Sequence, residues 1–543
     1  MMSWPTMPIP MQQDLSRHYI ERNGEIIHKL YEYHPDEDWD KRVKWIDESH
    51  ALRADRSELV DVIESYQKRV NPAPEAMHSL SRLKDEAALV IVGGQQGGLF
   101  MGPLLMIYKA ISIIRMSQEA EQRLGRPVVP VFWLAGEDHD YDEVNHTYVL
   151  TTEPAIQRIR MDKETDKRTP VSQLHLSEEA WQAVLHELET SLPQSEFKPI
   201  MMDRLQHICS AGRSLTEACA LLLGHLFGRY GLVLLDSADP SLRRLEQPMF
   251  EQLILKQAEL HDAVERSERA ITESGYTLQA VHAANSANLF LIEDGERLLL
   301  LRDKEVYTDR QGRVSLTQTE LLQRLEAHPE QFSNNVLTRP LMQDYLFPVL
   351  GTVLGPGEIS YWAQTKHSFH VCGMKMPILW PRMGFTCVEG TLQKLLQKYE
   401  LEAADICFRY EEKRDAWLAL QDQIHLDERF GALKENVDSQ YKELLHVITG
   451  ALPSLGKLGQ TNHLKVLEQI DFLHQRAQDA LSKQHETGLR QWERLKLAIW
   501  PLDRPQERVL NPLVYECRYG QDWFAPIMEA PVVWNGEHRL VSL

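Results

Sequence analysis

Two continuous apolar runs stand out along the chain, and each is cut off by a dense polar loop. Residues 88–92 (ALVIV) and 128–135 (VVPVFWLA) lack the alternation of a half-exposed strand, which predicts strands buried on both faces. Residues 231–236 (GLVLLD) predict a third. Gly93, Gly94, Gly97, Gly98 and Gly102 follow the first run, then Pro103, then Leu104, Ile107, Tyr108, Ile111 and Ile114 at helical spacing. The pattern is strand, glycine loop, helix. Lys109, inside that helix, reads as a solvent-facing charge.

Elsewhere the periodicity is mostly helical. Residues up to about Pro10 predict an extended arm, and helical patterns run on to about Leu83. Residues 151–229 leave the sheet pattern and predict an insertion with two helices. A long amphipathic helix is expected from Arg244 to about Ser274. Asp294-Gly295 between two apolar runs predicts a hairpin inside a second insertion. Phe430, Val437, Tyr441, Leu444 and Ile448 recur at near-heptad spacing, and Leu467, Ile470, Ala477, Leu481 and Leu495 form a second series after a Gly/Pro loop over 449–461. Two such helices predict an antiparallel coiled-coil hairpin. The resulting plan is an α/β fold. Residues 1–150 carry N-terminal helices and half the parallel-sheet core, 151–230 the first insertion, and 231–243 a core strand. The second insertion takes 244–333, the rest of the core 334–390, the helical domain 391–505, and a segment returning to the core 506–543.

Composition narrows the class. The 543 residues are 43% hydrophobic and 25% charged, with a formal net charge of −20, so a nucleic-acid backbone is not an expected partner. No run approaches a membrane span and no secretory leader is read, so no membrane partner is expected. Six scattered cysteines without a C-x-x-C pair point to free thiols and a reducing cytoplasm.

The candidate chemistry lies in the two loops. Ligands of open α/β sheets bind beyond the carboxyl ends of the strands, and both loops occupy such ends. Gly94, Gln95, Gln96, Gly97, Gly98 and Gly102 suit an anion approached by free backbone N–H groups, or else are packing devices. Neither G-x-G-x-x-G nor the Walker pattern matches. In the second loop Asp138 and His139 abut the apolar strand and read as substrate-facing. Asp140, Asp142 and Asn145 join the candidate set, although acidic residues there also suit a helix start. His139 and His146 fit no common zinc spacing, and His367, His370 and Cys372 have no second pair nearby, so no metal ligand is assigned. Arg339, Lys366 and Lys375 are cations to set against phosphate or carboxylate. Glu358, in the turn GPGE, and Trp362 complete the set.

Five blocks carry a resemblance: GGQQGGLFMGPL, FWLAGEDHDYDEVNH, NSANLFL, TRPLMQDYLFPVLGTVLGPGEISYWAQ and GMKMPILWPR. Together they resemble the bacillithiol-biosynthesis cysteine-adding enzyme family over essentially the whole chain. The resemblance implies a ligase that joins L-cysteine to glucosaminyl-malate by an amide bond, the last step of that pathway. It also implies a fold similar to class I aminoacyl-tRNA synthetases, with a Rossmann-like core, two connecting insertions and a coiled coil that makes a homodimer. Activation of a carboxylate implies ATP. GLFMGPL stands where that superfamily has its HIGH motif but holds no histidine, and GMKMP is a faint echo of KMSKS. On this reading Gly94, Gln95, Gly97 and Gly98 cradle phosphate or carboxylate, Asp138 holds an ammonium, and His139 is the general base for the attacking amine. The alternatives are another nucleotidyltransferase or tRNA-charging relative, and a non-catalytic coiled-coil scaffold.

Overall fold

The computed structural model describes residues 4–163, 165–280, 285–422 and 424–543. They form two compact units, Met1–Cys387 with Arg504–Leu543, and Val388–Asp503.

The first unit is built on a five-stranded sheet of β1 (Leu89–Gln95), β2 (Val128–Leu134), β3 (Val233–Asp236), β4 (Val349–Leu354) and β5 (Ile378–Pro381). Every neighbouring pair is parallel, in the order β3-β2-β1-β4-β5. The strands are buried almost end to end, as their unbroken apolar runs require. Because the order reverses between β1 and β4, their outgoing connections leave in opposite directions, and a crevice opens at their carboxyl ends.

Helix α1 (Leu105–Leu124) packs along β1 and β2 with Ile107, Ile111 and Ile114 buried, as the spacing predicts. The turn before it reverses sharply at Gly102, whose φ of +65° favours glycine. Asn511 of the returning C-terminal segment secures that turn, donating its amide to the carbonyls of Phe100 and Gly102. The segment ends in a strand, His538–Ser542, on which the extended arm pairs through Thr6 and Met7. A buried pair also ties it down: Arg382, just past β5, grips the Glu507 carboxylate with both guanidinium nitrogens at 2.5 and 2.9 Å.

The first insertion, between β2 and β3, begins earlier than expected. Strand His146–Leu150 already pairs with Ile156–Arg160, and helices Glu178–Ser191, Lys198–Ile208 and Leu215–Phe227 follow. In the second insertion the single long helix is corrected to two, Pro240–Leu255 and Gln257–Glu273, because Lys256 leaves helical geometry. An antiparallel sheet of five strands follows. Its first hairpin turns at Asp294-Gly295 with both φ positive, the geometry that Asp-Gly favours. GPGE is not a free turn but the start of helix α2 (Pro356–Trp362), with Pro356 in the first helical position.

In the second unit, helices Leu426–Ala451 and Gly456–Gln484 form the expected antiparallel hairpin. The connecting loop shrinks to a few residues, because helix continues through most of 449–461. Phe430 stacks on His474 and Tyr441 on His463 across the seam. Leu445 replaces the expected Leu444 there: it presses on Gly459, where an added Cβ would lie 2.2 Å from Leu445 Cδ2. Leu444 faces outward with Leu433, Val447, Leu458, Leu464, Phe472 and Leu473. No helix of the described residues is long and apolar enough to cross a membrane.

Two outcomes follow from this packing. A Cβ on Gly97 would sit 2.8 Å from the Thr216 Cα of helix Leu215–Phe227. Gly97→Val is therefore expected to destabilise the protein by about 1–3 kcal/mol, read as a lower melting temperature by circular dichroism; an unchanged melt would remove the packing role. Burial alone would raise the Glu507 pKa, but Arg382 overrides it and brings the group down to about 2. A depressed carboxyl pKa stabilises above its unfolded value of 4.5 and loses that contribution as pH falls toward about 2. Glu507→Gln is expected to cost roughly 3 kcal/mol at neutral pH and to flatten the acid limb of a urea-unfolding series. An unaltered acid limb would contradict the pairing.

Candidate active site

The crevice at the β1–β4 switch point is a cleft of about 700 Å³. Gly94, Gln95 and Gln96 line it at the carboxyl end of β1, Asp138, His139 and Glu143 beyond β2, and Gly355 and Glu358 beyond β4. The antiparallel sheet of the second insertion adds Phe290, Arg297 and Leu299, and Arg310, Arg339, Arg382 and Arg508 complete a cationic wall.

Lys109 is a correction. It does not face solvent but is 1% exposed and lines the cleft. A side chain early in a helix leans back toward the N-terminus, so its Nζ reaches the glycine loop. There it donates to the Gly94 carbonyl at 2.6 Å, to Gln95 Oε1 at 3.3 Å and to Glu358 Oε2 at 2.7 Å. Glu358 also accepts the Gly355 N–H at 2.8 Å. Burial lowers the Lys109 pKa while Glu358 opposes it. Burial would raise Glu358, but Lys109 and the Gly355 amide bring it below the ordinary carboxylate range.

Asp138 and His139 do enter the cleft. Gln96 Nε2 donates to Asp138 Oδ2 at 2.6 Å and to Glu143 Oε2 at 2.9 Å, joining two carboxylates. Arg297 stands 3.6 Å from Asp138 and donates to His139 Nδ1 at 3.1 Å. Burial pushes Asp138 upward, but Arg297, Gln96 and two backbone amides leave it low. Burial and Arg297 lower His139. Behind them Glu137 is buried against Arg243, which also pairs with Glu246, whose pKa burial raises to about 7. The first insertion clamps this loop. Val171 N–H donates to the Asp138 carbonyl at 2.7 Å and Ser172 N–H to that of Gly136 at 3.0 Å, while Ser172 Oγ donates to Asp236 Oδ2 at 2.5 Å.

Several expected site residues lie elsewhere. Gly97 packs on Thr216, and Gly98 lies against Gly102 with its N–H directed at the Cys219 sulfur, so neither presents a cradle to the cleft. Gly102 serves the turn held by Asn511. Asp140 is exposed outside the cleft lining. Asp142 is 76% exposed and pairs with Arg160, while Asn145 is buried and bonds the Met161 carbonyl. Trp362 is core, stacked on Phe369. Lys375 lies over the Trp45 ring instead of the cleft, and Lys366 caps carbonyls of His28 and Tyr31. Gln95, Gln96, Arg339 and Glu358 do line the cleft. Lys109, Glu143, Arg297, Arg310, Arg382 and Arg508 also line the cleft, beyond the residues expected from the sequence. A lysine embedded among Met106, Ile107, Tyr108, Ala110 and Ile111, and an arginine opening the run RLLLL after Asp-Gly, were the available signals.

Among the described residues no three His, Cys, Asp or Glu side chains gather as a metal set. His367 bonds Ser267, and His370 pairs with Glu32.

Residues 2–383 match the family model described as bacillithiol biosynthesis BshC, N-terminal Rossmann-like domain, and residues 385–543 match the BshC C-terminal coiled-coil domain. Over 534 residues, 98% of both chains, the sequence is 34% identical to a Bacillus anthracis protein named "Putative cysteine ligase BshC". It is 33% identical over the same span to proteins of that name from Bacillus cereus and Bacillus thuringiensis.

Proposed function

The chain belongs to the BshC family of bacillithiol biosynthesis, and we propose that it is a ligase forming an amide bond between the carboxyl group of L-cysteine and the amine of glucosaminyl-malate. The observation that carries this reading is the charge of the switch-point cleft. In a chain of net charge −20, the cleft gathers Lys109 and five arginines. Arg310 and Arg508 have no ion-pair partner among the described residues, and Arg339 donates from Nη2 to the Tyr361 hydroxyl while its Nε has no hydrogen bond. Such a wall suits the phosphates of ATP and the two carboxylates of a malyl group.

ATP supplies activation of the otherwise unreactive cysteine carboxylate; the resemblance implies an acyl adenylate. The backbone of Gly94, which lines the cleft without a side chain, and the cationic wall bind and orient the anions. Asp138 and Glu143, linked through Gln96, form an acidic corner of the lining near β2 and suit the cysteine ammonium. The six cysteines are buried and unbridged, which suits a reducing cytoplasm. The outward row Leu433, Leu444, Val447 and Leu458 suits a second copy of this chain, giving a homodimer through the coiled coil.

The test is mass spectrometry of purified protein incubated with ATP, L-cysteine and glucosaminyl-malate. The condensed thiol is expected with wild type and not without ATP; its absence from folded wild type overturns the reading. Lys109→Met is expected to lower turnover by about a hundredfold or more, the usual effect of removing an electrostatic contact in a closed site. For the assembly, Leu444→Glu with Val447→Glu is expected to halve the mass in light scattering. A wild-type monomer, or a variant that stays dimeric, would contradict the coiled-coil dimer.

A further inference from the structure

Arg297 is buried and held from several sides at the edge of the cleft. It is 6% exposed, its guanidinium lies 3.7 Å from the centroid of the Phe290 ring, Nε donates to Ser333 Oγ at 2.8 Å, and Nη2 donates to the Asn334 carbonyl. These contacts leave Nη1 aimed at His139 Nδ1 at 3.1 Å. A guanidinium has only donors, so Nδ1 must accept. A neutral imidazole that accepts at Nδ1 carries its proton at Nε2. Both polar contacts of the His139 ring among the described residues are at Nδ1, and the residue lines the cleft. Protonating the ring would set an Nδ1–H against a guanidinium N–H, cation against cation.

We infer that Arg297 is a positioning residue that fixes His139 as a neutral Nε2–H donor, and that His139 donates to an oxygen of the activated acyl group instead of taking a proton from the attacking amine. The inference rests on the ligase reading and replaces the general-base role that the sequence suggests. The C–N bond forms as the acyl C–O bond to the leaving phosphate breaks, the electron pair departs with that phosphate, and the amine's surplus proton goes to the phosphate or to water. The charged groups facing His139 are Arg297 and Arg168, which lower its pKa with burial, and Asp138 and Asp140, which raise it; the balance lies below the ordinary 6.5. Asp138 Oδ1, 3.8 Å from Nδ1, is itself bonded by the His139 N–H and faces Arg297.

Two substitutions separate donor from base. The glutamine side chain keeps an N–H where Nε2 stands; leucine has none. His139→Gln is expected to stay within about tenfold of wild-type turnover and His139→Leu to fall by about a hundredfold or more. A base role makes both folded variants fall together by about a hundred- to ten-thousandfold, and that result overturns the inference. Independently, nitrogen NMR of histidine-labelled protein, with His139 assigned from the His139→Gln spectrum, should find the proton on Nε2 and a titration below 6.5. Arg297→Met should raise that titration and mix the tautomers. A proton on Nδ1 in wild type, or an Arg297→Met spectrum unchanged at His139, would likewise overturn it. An inactive wild type would sink the ligase reading instead, and the NMR result would then decide the tautomer by itself.

Discussion

The ammonium of Lys109 joins the two loops that the sheet order drives apart. β1 and β4 are neighbours whose connections leave in opposite directions, so nothing in the ladder ties their carboxyl ends together. Lys109 spans the gap, bonding the Gly94 carbonyl on one side and Glu358 on the other. Glu358 in turn accepts the N–H of Gly355, the residue just before helix α2. Lys109 is buried while the Glu358 side chain is 24% exposed, so removing Glu358 would leave a buried ammonium without its counter-charge. The pair thus sets the width of the cleft and keeps a positive charge beside its glycine loop.

The remaining charges are arranged around that clasp. Arg243 pairs with both Glu137 and Glu246, Arg382 pairs with Glu507, and Arg297 is shared among Asp138, His139 and the second insertion. What is left over is positive on the Arg310, Arg339 and Arg508 side and negative where Gln96 joins Asp138 to Glu143. A low-dielectric cleft focuses such fields, so an acidic protein can draw in anionic substrates without a basic surface. The two insertions do more than decorate the core. One latches the Gly136–Asp138 loop, and the other delivers Arg297 to the imidazole.

Much of this was legible in the residues. The unbroken apolar runs announced buried parallel strands, Asp294-Gly295 announced its hairpin, and the heptads announced the helical pair. Asp138 and His139 could be placed because they lie in the loop that leaves the carboxyl end of a strand pointing into the crevice. Periodicity was silent about what fills a face. Helix α1 buries Lys109 because its partner, Glu358, comes from a distant stretch of chain. Gly97 and Gly98 look like ligand glycines, yet neighbouring backbone and Cys219 occupy the space and the amide. Trp362 follows the conspicuous GPGE turn but is drawn into the core by Phe369. The Leu444-for-Leu445 slip in the coiled coil is one residue along a helix, a difference that the fit to Gly459 decides and hydrophobicity alone does not. The surroundings of His139 were hidden for the same reason: the arginine against its imidazole lies 158 positions away.

The central claim is that the switch-point cleft is where the amide bond is made, and a structure of the protein bound to glucosaminyl-malate tests it most directly. The account predicts ligand density inside the cleft, with the malyl carboxylates against Arg339, Arg508 or Arg310 and the amine turned toward His139. Ordered ligand elsewhere on the protein, with only water against Lys109 and the arginine wall at saturating ligand, would contradict it.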